Sequence, residues 1–118
     1  MPRFAKECAA LDPTGFALVD GEREMTWTEV DDALNRCANL LLTDDRAGGL
    51  GPDHRIAVFA ENASETALAH LGGLLAGASS VPVNFHLTAS EAAYILDDSH
   101  TSILFVGPVV YLYLRTVL

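Results

Sequence analysis

The chain has 118 residues, half of them apolar and 19% charged; that is apolar surface enough to offset chain entropy and form a packed core, which excludes a disordered tail. Sixteen acidic residues against seven basic ones leave a formal charge of -9, a sign that repels phosphate backbones and anionic lipid head groups, so nucleic acid is not an expected partner. Arg3, Lys6, Arg23, Arg36, Arg46, Arg55 and Arg115 are scattered along the chain and make no local patch to override it.

The segment Pro2 to Leu11 reads as a short helix stopped by Asp12-Pro13-Thr14-Gly15. Glu7 and Asp12 interrupt the first apolar stretch, so no signal peptide is recognised there, and a cytoplasmic protein is expected. Two strand-like runs, Phe16 to Asp20 and Glu24 to Trp27, flank Gly21-Glu22 and predict a hairpin. Thr26-Trp27-Thr28-Glu29 has the spacing of a capping box, and Val30, Ala33, Leu34, Cys37, Ala38 and Leu41 then follow one buried helical stripe. After a Gly- and Asp-rich loop, Arg55 to Ala60 reads as a central strand. Asn62-Ala63-Ser64-Glu65 predicts a helix capped by Asn62, with Ala67, Leu68, Leu71, Leu74, Leu75 and Ala78 as its stripe and Gly77 at its end.

Ser79 to Asn84 predicts a strand that Pro82 pushes toward an edge of the sheet. A third box, Thr88-Ala89-Ser90-Glu91, opens a helix with Ala92, Ile95 and Leu96 inward, and Ser102 to Val106 closes as a strand. Strands alternating with single helices imply right-handed crossovers. The expected fold is therefore α/β: an N-terminal hairpin followed by a doubly wound, mainly parallel βαβαβ unit, with residues 1–118 as one domain or part of one. The tail from Gly107 to Leu118 is apolar on every side over Val109 to Leu114 and calls for cover by the next elements of a larger domain. No apolar run reaches the roughly 20 residues of a membrane-crossing helix, 71–83 and 103–114 being the longest.

Few residues suggest chemistry. Ala47-Gly48-Gly49-Leu50-Gly51-Pro52 is glycine-rich, but it runs from a helix into a strand, whereas phosphate-cradling loops open a helix. Asp97-Asp98-Ser99-His100 carries two carboxylates, a hydroxyl and an imidazole, yet consecutive residues do not converge on one point, and a solvated helix end is the simpler reading. His54, His70 and His86 are isolated from one another and read as surface or hydrogen-bonded structural histidines. Cys8 and Cys37 lack metal-ligand spacing and read as buried reduced thiols. Gly72-Gly73 in mid-helix costs about 1 kcal/mol per glycine relative to alanine, so a close neighbour is expected to compensate.

Three stretches, in order, resemble AMP-forming acyl-CoA synthetases of the adenylate-forming superfamily, which also holds luciferases and peptide-synthetase adenylation domains. They are Ala17-Leu18-Val19-Asp20-Gly21 with Met25-Thr26-Trp27-Thr28-Glu29-Val30, then Arg55-Ile56-Ala57-Val58-Phe59 with Asn62 and Glu65, then Leu75 to Asn84 continued by Leu87-Thr88-Ala89-Ser90-Glu91 and Tyr94 to Ser99. Asn84-Phe85-His86-Leu87-Thr88 leans toward ligases of fatty or other carboxylic acids. The resemblance implies ATP-driven formation of an acyl-adenylate and its transfer to CoA, with ATP, Mg and CoA as cofactors of the full-length parent. It places no catalytic, cofactor-binding or metal residue in these 118 positions. Lys6 is the only lysine and precedes every matching stretch, so it stands for neither of the family's lysines. The expected role is scaffold, the isolated chain being inactive. Its expected partner is the remainder of the adenylate-forming domain, or a second copy through the apolar C-terminal edge. The alternatives are a fragment of an acyl-AMP ligase that feeds a carrier protein, and a stand-alone interaction module.

Overall fold

The structure is a computed structural model and describes residues 3–43 and 50–108. Helix α1, Phe4–Leu11, ends where the Asp12 N–H closes on the Cys8 carbonyl at 2.8 Å. Strands β1, Phe16–Asp20, and β2, Arg23–Thr26, pair antiparallel, Asp20 opposite Arg23, around the turn at Gly21-Glu22. The second strand begins one residue earlier than predicted and ends before Trp27, which already belongs to helix α2, Trp27–Thr43. The Thr26 hydroxyl accepts the Glu29 N–H at 3.2 Å, and the Glu29 carboxylate turns back to that same hydroxyl, also at 3.2 Å. The predicted stripe of α2 is the buried one: Val30, Leu34, Ala38 and Leu41 are enclosed.

Strands β3, Arg55–Phe59, β4, Ser79–Val83, and β5, Ile103–Val106, form a parallel sheet in the order β4-β3-β5. Pro82 thus stands on an edge strand, where its missing N–H costs little. Helix α3, Ser64–Leu75, carries the chain from β3 to β4; helix α4, Ala89–Asp98, carries it back across β3 to β5. Two crossovers of the same hand in opposite directions put their helices on opposite faces of the sheet. The core divides accordingly. Ile56, Ile103 and Phe105 pack toward Leu41 of α2, Leu50 and Ala78, whereas Ala57, Phe59, Val83 and Leu104 pack toward Ala92, Ile95 and Leu96 of α4. The doubly wound α/β expectation, with its N-terminal hairpin, is what the structure has.

Helix α4 begins with a complete capping box: the Thr88 hydroxyl accepts the Glu91 N–H and the Glu91 carboxylate accepts the Thr88 N–H. The Thr88 hydroxyl first, and then the Thr88 N–H, hold the Glu91 carboxyl below its ordinary value. Helix α3 departs from expectation at its start and in part along its face. Its N-cap is Ala63, not Asn62, and no local side chain caps it. The side chain that does so is Asp20, 44 residues away, whose Oδ2 accepts the Ser64 N–H at 3.0 Å and the Ser64 hydroxyl at 3.1 Å. Asn62 is displaced because the docked hairpin brings a carboxylate, a better partner for a helix N-terminus than an amide oxygen. Of the expected stripe, Leu68, Leu71 and Leu75 pack half-buried against the cluster of Ala5, Met25, Val30 and Leu34 and Ala78 is buried, whereas Leu74 is exposed; the most deeply buried positions within the helix are Ser64, Ala69, Gly72 and Gly73. Small residues lie inward because α3 is pressed between α2 and the sheet. A Cβ on Gly72 would meet Cys37 Cβ at 2.6 Å, and one on Gly73 would meet Ile56. The helix ends at Gly77, φ +87, where Ala78 N–H reaches the Gly73 carbonyl at 2.9 Å and Gly77 N–H the Leu74 carbonyl at 3.1 Å.

Candidate functional site

In a doubly wound sheet the chain diverges where successive connections leave in opposite directions, and ligands collect outside the C-terminal ends of the strands there. Here that place lies between β3 and β5. A crevice of about 440 Å³ opens beside the ends of these two strands, against the first turns of α3. Val58, Ala69, Phe105 and Val106 give it apolar walls, while Glu61, Glu65 and Thr66 are its polar lining.

The segment between β3 and α3 sets the polar groups. Thr66 Oγ1 donates to the Glu61 carbonyl at 2.6 Å and ties the loop to the first turn of the helix. Glu61 Oε2 is buried and receives no hydrogen bond among the described residues. Gly107 follows β5, its N–H donating to the Phe59 carbonyl at 3.1 Å. A Cβ on Gly107 would lie 2.8 Å from Ala60 Cβ and 2.9 Å from Glu61 Oε2, so only glycine allows β5 to exit this close. At the mouth Arg23 of the hairpin pairs with Glu65. Glu65's own backbone N–H, and after it the Arg23 guanidinium, hold the Glu65 carboxyl below its ordinary value.

The groups singled out in the sequence do not assemble into a site. Residues 44–49 lie outside the described residues; Leu50 to His54 lead into β3 at its N-terminal end, away from the crevice. His54 is exposed at φ 51. His70 Nδ1 contacts Ser80 Oγ, linking α3 to the edge strand, and burial lowers its pKa. His86 lies beside Phe85, and its backbone N–H donates to Asn84 Oδ1 at 2.9 Å. In the Asp97 to His100 run, Ser99 turns to Thr101 at 2.7 Å and His100 to Asp53 at 3.1 Å, so the hydroxyl and the imidazole take separate partners. Cys8 and Cys37 are free and half-buried, and burial pushes the Cys37 thiol up. The apolar tail from Val109 onward lies outside the described residues.

Among the described residues no three His, Cys, Asp or Glu side chains gather as a metal site. The N-terminus of α3, the natural seat for a phosphate at this edge, is taken by the Asp20 carboxylate, and Lys6 stands on the exposed side of α1. These residues do not fit Mg-ATP. Glu61 and the Asp20 cap escaped the reading of the sequence because each matters only through neighbours far along the chain. A carboxylate between a strand and a helix of small residues was the one signal that pointed to Glu61.

A doubly wound α/β unit with an N-terminal hairpin is shared with known proteins. The family described as AMP-binding enzyme matches residues 5–116. Tyrocidine synthase 3 of Brevibacillus parabrevis is 36% identical over 92 residues, 78% of this chain and 1% of that protein. A peroxisomal acetate/butyrate–CoA ligase of Arabidopsis thaliana is 33% identical over 103 residues, 87% of this chain and 17% of that protein. A fatty acyl CoA synthetase of Mycobacterium tuberculosis superposes with a TM-score of 0.78 at 28% identity, covering 91% of this chain and 21% of that one. The chain belongs to the AMP-binding enzyme family. It spans a fifth or less of the length of the two relatives matched by sequence. Among the described residues no helix is long and apolar enough to cross a membrane.

Proposed function

We propose that these residues are the N-terminal scaffold of an acyl-CoA ligase that activates a carboxylic acid, a fatty acid foremost, with ATP and transfers the acyl group from its adenylate to CoA. The family match along nearly the whole chain carries this reading. The names of the Arabidopsis and M. tuberculosis relatives support CoA as the acceptor and a fatty acyl substrate. What these residues contribute is a platform. The parallel sheet, fixed by helices on both faces, sets the positions of the strand ends on which a larger domain builds. The groups that handle phosphate and magnesium are supplied by other parts of the parent, since the side chains around the crevice fit neither. The reaction belongs to the cytoplasm in this reading.

A Streptomyces coeruleorubidus relative named as a fatty acid–acyl-carrier-protein ligase, 35% identical over 106 residues, favours a second reading for the last step alone, in which a carrier protein accepts the acyl group.

Two experiments test the proposal. The isolated chain, given ATP and a panel of carboxylic acids, is expected to show no pyrophosphate exchange, and robust exchange overturns its scaffold role. Residues 17–106 are then grafted in place of the matching stretch of the M. tuberculosis synthetase. That hybrid is expected to form acyl-CoA with the recipient's own chain-length preference. A changed preference would place specificity in this segment and contradict a purely structural part.

A further inference from the structure

The crevice opens at the strand ends that the scaffold reading assigns to the larger domain, and whether it takes a ligand is tested on this chain without that reading. One side of the crevice is hydrocarbon, from Val58, Ala69, Phe105 and Val106. A carboxylate stands against it. Glu61 Oε2 is buried, and no described residue donates to it, while the Glu61 carbonyl is already bonded by Thr66. Gly107 backs onto that oxygen so closely that a Cβ would lie 2.9 Å away. A buried acceptor without a donor is destabilising, more so when it is charged, and proteins keep such groups where another molecule supplies the donor.

The remaining charges favour the same kind of donor. In an open α/β crevice the helix N-terminus would attract an anion, but Asp20 Oδ2 already takes the Ser64 N–H and hydroxyl at 3.0 and 3.1 Å. Glu61 and Glu65 line the crevice, and Arg23, paired with Glu65, is the cation set against them. A cleft of one sign with low-dielectric walls concentrates the opposite charge. Its volume, about 440 Å³, lies within the range of pockets that take small organic molecules.

We propose that this crevice is a binding site for an ammonium group carried on a hydrocarbon or aryl body. The ammonium pairs with the Glu61 carboxylate, which turns to meet it, and the apolar body lies along Val58, Ala69, Phe105 and Val106. Phosphate-bearing ligands are turned away because their seat on α3 is filled.

Three probes of equal chain length separate charge from hydrocarbon: n-octylammonium, n-octanol and n-octyl phosphate, each kept below micelle formation. Added to the isotope-labelled 118-residue chain, octylammonium is expected to shift the amides of Glu61, Thr66 and Gly107 saturably. Octanol should bind there about tenfold more weakly, the factor expected of one charge-assisted hydrogen bond, and octyl phosphate should leave those amides unmoved. Glu61→Gln keeps the shape and removes the charge, so octylammonium affinity should fall to that of octanol while amides in α1 and α2 stay in place as evidence of an intact fold. The comparison on the unaltered chain stands without any variant. Equal affinity for octanol and octylammonium, binding of octyl phosphate at the same amides, or no saturable shift with octylammonium would each overturn the site; in the last case the donor to Glu61 comes from the protein itself.

Discussion

His70 shows how a single contact couples chemistry to folding. Its ring leaves α3 to meet the Ser80 hydroxyl on the edge strand, and burial lowers its pKa because the charged imidazolium is the form that desolvation penalises. The unfolded chain holds a histidine with the ordinary pKa of about 6.5. Above that value both states are neutral at this residue and its contribution to stability is complete. As the pH falls below it, the unfolded state takes up the proton first, and stability declines until the lower folded pKa is passed. Urea denaturation at about pH 7.5 and again near pH 5, on either side of that value, should therefore show a larger loss for the wild-type chain than for His70→Asn. Equal losses would mean that the imidazole is as easily protonated in the fold as outside it. The sequence left the histidine as either a surface or a hydrogen-bonded structural residue, and its partner ten residues on was not legible, because only the return of the chain from α3 into β4 brings Ser80 beneath it.

At the scale of elements, α3 is held at its start by the hairpin and along its length by glycine. Asp20→Ala removes the side chain that caps the helix and should cost about 1 kcal/mol, whereas Asp20→Asn keeps an acceptor and should cost less. Chemical denaturation measures both, and equal losses would show that the charge, not the hydrogen bond, matters. Gly72 sets two effects against each other. Alanine would gain about 1 kcal/mol in helix propensity, but its Cβ would stand 2.6 Å from Cys37 Cβ, an atom fixed to the backbone of α2, and overpacking of this kind costs roughly 1–3 kcal/mol. Overpacking wins, so Gly72→Ala should lower stability. Cys37→Ala should fail to rescue it because the offending Cβ remains, and Cys37→Gly should relieve it. A stable Gly72→Ala chain would mean that the two helices separate easily. The glycine pair was readable as a close contact. Which helix made that contact was not, since sequence spacing favoured the larger leucines of the same helix.

On the scale of the whole molecule the dominant quantity is charge. A net -9 on one small domain repels itself in the compact state. Raising the ionic strength from about 0.01 to about 0.15 M shortens the screening length from roughly 30 to roughly 8 Å, less than the span of the fold. The melting temperature should rise with salt over that range. A fall would show that attractive pairs such as Arg23 with Glu65 and Arg36 with Asp32 outweigh the repulsion.

Local sequence was enough to establish the order and kind of the elements, the capping box at Thr88, the edge position signalled by Pro82, the glycine stop at Gly77 and the family. Each element signal rests on residues within a few positions of one another, where backbone hydrogen bonds and side-chain periodicity act locally, and the family on the order in which such stretches recur. It took the folded chain to determine that Asp20 rather than Asn62 caps α3, that Gly72 and Gly73 are among that helix's most deeply buried residues, and that Glu61 lies in a crevice with an oxygen that no described residue meets. Those outcomes depend on hairpin, helix and strand end arriving at one place from distant parts of the sequence, and proximity of that kind is created only when the sheet and its two helical layers close together.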